Sequence, residues 1–332
     1  MCTFAYPVLS RPFMKLSVSI VIPNYNGQQL LVDTIQSAHA ALVSSGISDF
    51  EIIVSDDAST DDSMNIITRD FPDVILVKSN VNTGFAGNMN RGIKRASKDL
   101  VCFLNSDVHL TSNYFASQLP LFENEETFGV MGAIFDQETN EAQDGAKKPH
   151  IRFLRIESNK NTFSSTELLP TMFLSGANAL VRRAYLLQLG GFCEMYNPYY
   201  SEDVDLGLQA WRSGWKLYFQ PLAICHHAQS STIKKLPNQR VRMIAKRNKH
   251  FLHFLHLPPV LNWMYFISVL FNSFGQLLIG NTLHVNAVIA VFKNVKKLQK
   301  ERKQRCEKAN GRTILSIFQV KQVILDMTQI KS

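Results

Sequence analysis

The chain has 332 residues, 45% hydrophobic and 19% charged. This excludes a disordered, collagen-like or polytopic membrane protein and supplies core material for roughly two domains at about 150 residues each. The net charge of +8 is unevenly spread: residues 1–225 carry 17 Lys+Arg against 24 Asp+Glu, a net of −7, and residues 226–332 carry 18 against 3, a net of +15. An acidic body with a basic tail directs the tail toward an anionic partner.

Five cysteines, Cys2, Cys102, Cys193, Cys225 and Cys306, are scattered and form no Cys-x-x-Cys pair. That argues against a disulfide framework or a zinc site and fits a reducing cytosol. The first 15 residues break a short apolar stretch with Pro7, Arg11 and Pro12, so no secretory signal is expected. Residues 16–22 are a β-rich run stopped by Pro23 and Asn24, predicting a first strand. A helical pattern over about 28–43 leads to a second strand at 50–54, whose end drops into Ser55-Asp56-Asp57-Ala58-Ser59-Thr60-Asp61-Asp62. Ser59 or Thr60 is expected to cap the next helix, running to about Arg69. A third strand is predicted at 74–77, and a Gly-rich loop at 82–88 should precede a helix ending near Ser97. The fourth strand, 100–104, carries Asn105-Ser106-Asp107 on its end.

Strands alternating with helices at these spacings predict a doubly wound parallel α/β sheet. The polar clusters all fall at strand C-termini, the rim where such sheets bind ligands. One cluster alone is equally an ordinary turn; three on one rim point to a site. Residues 137–148 are polar and read as a surface loop, 204–212 as a helix, and 222–225 as a strand followed by His226 and His227.

Pro23-x-Tyr25-Asn26, Asp56-Asp57-Ala-Ser-Thr-Asp61 and Asn82-x-Gly84-Phe-Ala-Gly87-Asn88-x-Asn90-x-Gly92 occur in order. Asn105-x-Asp107, Gly176 before Arg182-Arg183, Gly190-Gly191-Phe192 and Glu202-Asp203-x-Asp205 follow. Each motif is weak alone. Together they make residues 16–228 resemble the family 2 inverting glycosyltransferases of GT-A fold, a Rossmann-like nucleotide-diphospho-sugar transferase fold, especially the bacterial rhamnosyltransferase-like branch. The chain then divides into an N-terminal extension at 1–15, a GT-A domain at 16–228 and a basic helical region at 229–332. Within the domain a nucleotide-binding half at 16–125 precedes an acceptor half at 126–228.

A sugar nucleotide presents a pyrimidine, a ribose and a diphosphate. Asp56 at a strand end can accept the imide N–H of the base, a role the resemblance also implies; Tyr25 offers stacking, Pro23 shapes its loop, and the resemblance puts Asn26 among the donor-nucleotide-binding residues. Asp57 stands where relatives often carry Asn. The Gly84-Phe-Ala-Gly87-Asn88 loop resembles a phosphate cradle at a helix N-terminus, a tight turn being the alternative. Asn105-Ser106-Asp107 occupies the place of the family's Asp-x-Asp or Asn-x-Asp element, which implies Mg²⁺ or Mn²⁺ with Asp107 as the only direct carboxylate ligand. His226 is a further candidate metal contact.

The resemblance makes Asp203 the base that takes the acceptor hydroxyl proton, with Glu202 beside it. Adjacent like charges raise a carboxylate pKa, which suits a base; an acidic first helical turn is the plainer alternative. Ser175, Gly176 and Ala177 match the acceptor side of the sugar pocket or belong to a buried strand, and Asp205 is structural or supporting. Gln209-x-x-Arg212 lacks the Trp that completes the signature of processive polymerases, Ser213 standing there, so a single addition is expected.

No Lys, Arg, Asp or Glu occurs between Lys249 and Lys293, a gap of 43 residues. About 20 apolar residues would span a bilayer, so residues 260–279 are a candidate. At about 100° per residue, Asn262, Ser268, Asn272, Ser273 and Gln276 share one arc, and Trp263, Phe266, Ile267, Leu270, Phe271, Phe274, Leu277 and Leu278 fill the other. That favours a helix lying in the membrane interface over spanning or soluble packing. Basic clusters across 234–312, beginning at Lys234 and Lys235, would meet an anionic membrane surface. Without an aromatic-interleaved basic platform, nucleic acid is disfavoured. The expectation is a metal-dependent inverting transferase, peripheral on the cytosolic face of the membrane. It would pass one sugar from dTDP-rhamnose or a UDP-hexose to a glycan or polyprenyl-linked acceptor in cell-surface polysaccharide biosynthesis. A non-catalytic sugar-nucleotide-binding scaffold of the same fold is the alternative.

Overall fold

Val and Ile runs between polar turns build the centre of a ten-stranded sheet. The computed structural model describes residues 16–152, 154–160, 166–228, 238–278, 280–308 and 314–329; the extension 1–15 and Lys234 and Lys235 lie outside the described residues. The first half contains β1 (Val18–Asn24), α1 (Leu31–Ser44), β2 (Phe50–Asp57), α2 (Ser63–Asp70), β3 (Ile75–Ser79), α3 (Gly84–Arg95), β4 (Leu100–Phe103) and β5 (Val108–Leu110). Next come β6 (Thr127–Asp136), β7 (Ala142–Asp144), β8 (Lys147–Arg152), β9 (Arg155–Lys160), β10 (Leu169–Pro170), β11 (Ala179–Arg182), α4 (Arg183–Leu189), α5 (Glu202–Arg212) and β12 (Lys216–His227). Four helices close the chain: α6 (Asn238–His256), α7 (Pro259–Leu278), α8 (Thr282–Lys308) and α9 (Ile317–Gln329).

The strand order is β10-β12-β6-β11-β4-β1-β2-β3, with β5 on β12 and β7 on β6. β4, β1, β2 and β3 are parallel, β11 runs antiparallel between β4 and β6, and β12 is parallel to β6. β1 reads as a continuous apolar run because both its faces are covered. Val21, Ile53, Val101 and Phe103 face α3 residues Met89 and Ile93, while Ile20, Ile22, Ile52 and Val54 join Leu31, Ile35 and Ile67 of α1 and α2. Gly92 lets α3 lie directly on β1, since a Cβ there would collide with the Val21 side chain.

Three local expectations are corrected. Helix α2 starts at Ser63 with Asp62 at its N-cap, because Ser59 is drawn to Asp56 instead. The Gly-rich segment is already helical from Gly84. Residues 137–148 are not a plain loop: they contain β7 and the start of β8, where Lys147, Pro149 and Ile151 alternate inward.

The C-terminal helices dock on α5 through Asp205. Arg305 of α8 grips it bidentately (Nη1–Oδ1 2.8 Å, Nη2–Oδ2 2.9 Å), and His256 Nε2 of α6 donates to Oδ1 at 2.7 Å. Tyr196 and Gln209 donate to the same carboxylate. Burial alone would raise the Asp205 pKa, but Arg305 and His256 hold it well below the usual range. Among the described residues no helix is long and apolar enough to cross a membrane.

Candidate active site

The C-terminal rim of the parallel strands is tied together by side chains. Buried Asn24, at the end of β1, donates through Nδ2 to Asp56 Oδ1 (2.9 Å), Ser59 Oγ (3.0 Å) and Ser63 Oγ (3.1 Å). Asp56 Oδ2 accepts the Ser59 N–H at 3.1 Å. Asn26, in the left-handed region at φ 54, accepts the Thr60 N–H on Oδ1 (2.8 Å) and donates its own N–H to Ser59 (2.9 Å). Pro23 and Asn26 thus bracket Tyr25, which is left 43% exposed on the rim. Gly27 leaves this loop close to Asn24 and Ser106.

Asp57 is turned away from that edge. It accepts N–H groups from Thr83 (2.9 Å) and Gly84 (2.9 Å), the Thr83 hydroxyl (2.8 Å) and Arg91 Nη2 (3.2 Å). The next two amides of α3 are also engaged: Phe85 N donates to Pro198 O at 3.0 Å and Ala86 N to Asn197 Oδ1 at 3.2 Å. The first-turn donors of α3 therefore face protein acceptors, so the cradle expected at Gly84–Asn88 is a closed joint. Gly84 sits at φ +77, and a Cβ there would stand 2.8 Å from Pro198 Cα. Gly87 packs on Thr83, and buried Asn88 donates to Asn24 O at 3.3 Å while its Oδ1 accepts from Arg91.

Asn105 and Ser106 form the bend after β4. Asn105 N donates to Ala177 O (3.1 Å), Asn105 Oδ1 is buried without a partner, and Ser106 O accepts from Thr34 (3.0 Å). The segment Ser175-Gly176-Ala177, expected on the acceptor side, therefore lies against the Asn-x-Asp bend, with Phe85 over Gly176.

Asp107 Oδ2 lies 3.2 Å from Nε2 of His227. Strand alternation points His226 to the opposite face, toward Phe135 (ring centroids 6.4 Å), so His227 replaces it as the imidazole beside Asp107. The tautomer follows from the neighbours. Asp136 accepts from Gln143 Nε2 (2.6 Å), which leaves Gln143 Oε1 to accept from His227 Nδ1 at 2.9 Å. Nε2 then presents a lone pair to a carboxylate oxygen, an arrangement that favours a shared cation or proton. The carboxylate suits Mn²⁺ or Mg²⁺ when diphosphate and water oxygens complete the shell, and the imidazole nitrogen beside it favours Mn²⁺ of the two. Among the described residues no group of three His, Cys, Asp or Glu forms a metal cluster.

Glu202 and Asp203 open α5 after two consecutive left-handed residues, Tyr200 (φ 77) and Ser201 (φ 74). Such non-glycine backbone is strained, and it is held where the surroundings over-determine it. Glu202 is buried with Oε2 unpartnered, whereas Asp203 is half-buried with Oδ1 accepting the Val204 N–H at 2.7 Å. Burial, then the adjacent Asp203 charge, pushes Glu202 well above the usual carboxylate range; burial raises Asp203 too, opposed by the Lys147 charge. Lys147 is buried, pairs with Asp144 and lies 5.8 Å from the Phe173 ring centroid. The motifs did not reveal Lys147 or Gln143, and of the pair His226–His227 they favoured the wrong member; inward alternation through 147–151 was the available signal for Lys147.

The profile described as "Glycosyl transferase family 2" matches residues 19–190. The chain is 34% identical over 112 residues to the Escherichia coli UDP-Glc:alpha-D-GlcNAc-diphosphoundecaprenol beta-1,3-glucosyltransferase, covering 33% of this chain and 43% of that one. It is 26% identical over 213 residues to the N-acetylglucosaminyl-diphospho-decaprenol L-rhamnosyltransferase of Mycobacterium tuberculosis, covering 54% and 67%. The mannosyltransferase PcManGT of Pyrobaculum calidifontis, solved with GDP-Man and Mn²⁺, superposes with a TM-score of 0.52 at 16% identity over 97% of this chain and 90% of that chain. With the family profile covering more than half its length and the rim organised as above, the chain belongs to glycosyl transferase family 2 and is a glycosyltransferase of GT-A fold.

Proposed function

We propose that this glycosyltransferase makes a single inverting transfer from a nucleotide-sugar donor, dTDP-rhamnose or a UDP-hexose, to a glycan or polyprenyl-diphosphate-linked acceptor at the cytosolic membrane face. The observation that carries the reading is Glu202–Asp203 at the start of α5, with a buried carboxylate oxygen lacking a partner and both acids raised. A base poised above the ordinary carboxylate range can take the acceptor hydroxyl proton as the sugar carbon is attacked. Asp203, the more exposed of the two, takes that proton, and Glu202 supports it. Tyr25 offers its ring to the base, and Asp56 Oδ2, accepting one N–H, has capacity for an imide N–H. Asp107 and His227 would hold Mg²⁺ or Mn²⁺, which when bound offsets the charge of the departing diphosphate. Asn105 and Ser106, tied to the Ser175-Gly176-Ala177 segment by the Asn105 N–H to Ala177 carbonyl bond, would stand between the donor and acceptor sides. The named acceptors of the two bacterial relatives are diphospho-polyprenols, which supports a lipid-linked acceptor and a membrane-facing tail.

The test is donor binding and transfer with a panel of nucleotide sugars in Mn²⁺, Mg²⁺ and EDTA, alongside Asp203→Asn. Metal-dependent selection of one donor is expected, with Asp203→Asn losing roughly 10²–10⁴-fold in transfer and keeping donor affinity. Binding of a donor by the folded protein with no transfer or hydrolysis under any metal condition would replace the enzyme reading with the sugar-nucleotide-binding scaffold. Near-normal turnover of Asp203→Asn would remove the base assignment.

A further inference from the structure

The segment 196–201 links two parts of the site. Its Asn197 side chain and Pro198 carbonyl receive the first-turn amides of α3, and its last residue leads into Glu202–Asp203. Nothing in this segment's own sequence holds two successive non-glycine residues at positive φ. The restraint comes from about fifty residues away in sequence, on α6. Fully buried Asn248 aims one amide nitrogen at three carbonyls: Tyr196 O (2.6 Å), Tyr199 O (2.8 Å) and Tyr200 O (2.8 Å). Arg247 supplies the complement. Its Nη2 donates to Asn197 O at 2.6 Å, and its Nε donates to Asn248 Oδ1 at 2.9 Å.

The Nε contact fixes which way the Asn248 amide faces. With Oδ1 held by a guanidinium donor, the NH₂ group must point at the carbonyls. Arg247 in turn lies over the Phe251 ring at 5.4 Å, one helical turn further on. The clamp is therefore built on α6, and every backbone carbonyl it donates to lies in the approach to α5 that ends in the left-handed Tyr200–Ser201 pair.

We propose that Arg247 and Asn248 are positioning residues for catalysis: by gripping the Tyr196–Tyr200 carbonyls they hold the left-handed Tyr200–Ser201 pair and thereby the placement of Glu202 and Asp203. The C-terminal helical layer is on this account part of the catalytic apparatus. The inference rests on the reading of Asp203 as base, and the two are separable by experiment.

Full-length Asn248→Asp keeps the side-chain shape and turns a donor into an acceptor facing three carbonyls. Arg247→Leu keeps helix propensity and contact with Phe251 but frees the Asn248 amide. Initial transfer rates, donor affinity by calorimetry and melting temperature are measured for both, beside Asp203→Asn. A displacement of about 1 Å in a reacting group can cost on the order of 10²-fold. Asn248→Asp is accordingly expected to lose about 10²-fold in kcat and Arg247→Leu about tenfold, each with donor affinity within about twofold of the parent. Asn248→Gln, which restores a donor on a longer arm, is expected to recover part of the loss. Arg247→Leu is the deciding variant if Asn248→Asp does not fold. The proposal is overturned if Arg247→Leu keeps the parental kcat, or if kcat and donor affinity fall together with the melting temperature. Inactive Asp203→Asn beside fully active Arg247→Leu would leave the base in place and remove the clamp. The converse result would remove Asp203 as base and keep the clamp.

Discussion

A buried carboxylate oxygen without a hydrogen-bond partner destabilises the folded state once the group ionises, and Glu202 Oε2 is such an oxygen, with Asp203 adjacent. Because burial raises its folded-state pKa above the unfolded value, the folded chain binds the extra proton between the two. Stability is therefore favoured at low pH and declines as pH rises through the raised value. Glu202→Gln removes that penalty. Its melting temperature should match the parent near pH 4 and exceed it at pH 8, while transfer falls; an unchanged difference across that range would contradict the burial argument. At the Asp107–His227 pair, Asp136 orients Gln143, and Gln143 thereby sets the His227 tautomer. Loss of such a supporting contact typically costs 10–100-fold in metal affinity. Gln143→Leu should weaken Mn²⁺ binding by about that factor in an electron paramagnetic resonance titration with nucleoside diphosphate present. Parental affinity would mean that His227 is not a ligand.

Helix α5 joins the two layers of the molecule: its first turn carries Glu202 and Asp203, and Asp205 on its inner face receives Arg305 and His256. Removing one partner of a buried pair leaves an uncompensated charge and costs about 3–5 kcal/mol. Arg305→Met should lower stability by that order in urea unfolding, and Asp205→Asn combined with it should recover part of the loss. Full additivity would show that the two residues do not act as a latch. The parallel strands were legible in sequence because buried Val and Ile runs ending in turn residues have few other solutions, and the helix expected at 204–212 was legible too, the structure starting it at Glu202. The closed α3 N-terminus was not. Its amides are received by Asn197 and Pro198, 112 or so positions away, and no local pattern encodes such a partner. The same holds for Arg247 and Asn248, whose cluster reads as a charged flank until α6 is packed. His227 could not be chosen over His226 until the register against Val108 and His109 fixed which ring faces Asp107.

Over the whole molecule the least usual feature is the orientation of α7. A water-facing helix turns its apolar stripe inward, but here Asn262 and Ser273 are buried against the protein while Trp263, Phe271 and Phe274 are 74%, 77% and 65% exposed. Of the polar arc seen in the sequence, Asn262 and Ser273 face the neighbouring helices together with Tyr265 and Val269, while Ser268 and Asn272 are exposed; most of the apolar side faces out, continued by Ile289 and Phe292 of α8. Beyond them Lys293, Lys296, Lys297 and Lys300 are exposed on the same helix. An apolar face bordered by lysines matches an anionic bilayer surface, each cation adding about 1 kcal/mol near it. Each aromatic ring entering the interface contributes on the order of 1.5–3 kcal/mol. Trp263→Ser, Phe271→Ser and Phe274→Ser combined should therefore abolish co-sedimentation with phosphatidylglycerol vesicles and leave the melting temperature within a few degrees, since these side chains support no internal packing. Turnover on a soluble acceptor analogue should persist, while turnover on a polyprenyl-linked acceptor in vesicles should drop. If the parent instead sediments as a dimer that the triple variant dissolves, and neither binds vesicles, the apolar face belongs to a second copy of the chain and the membrane assignment falls.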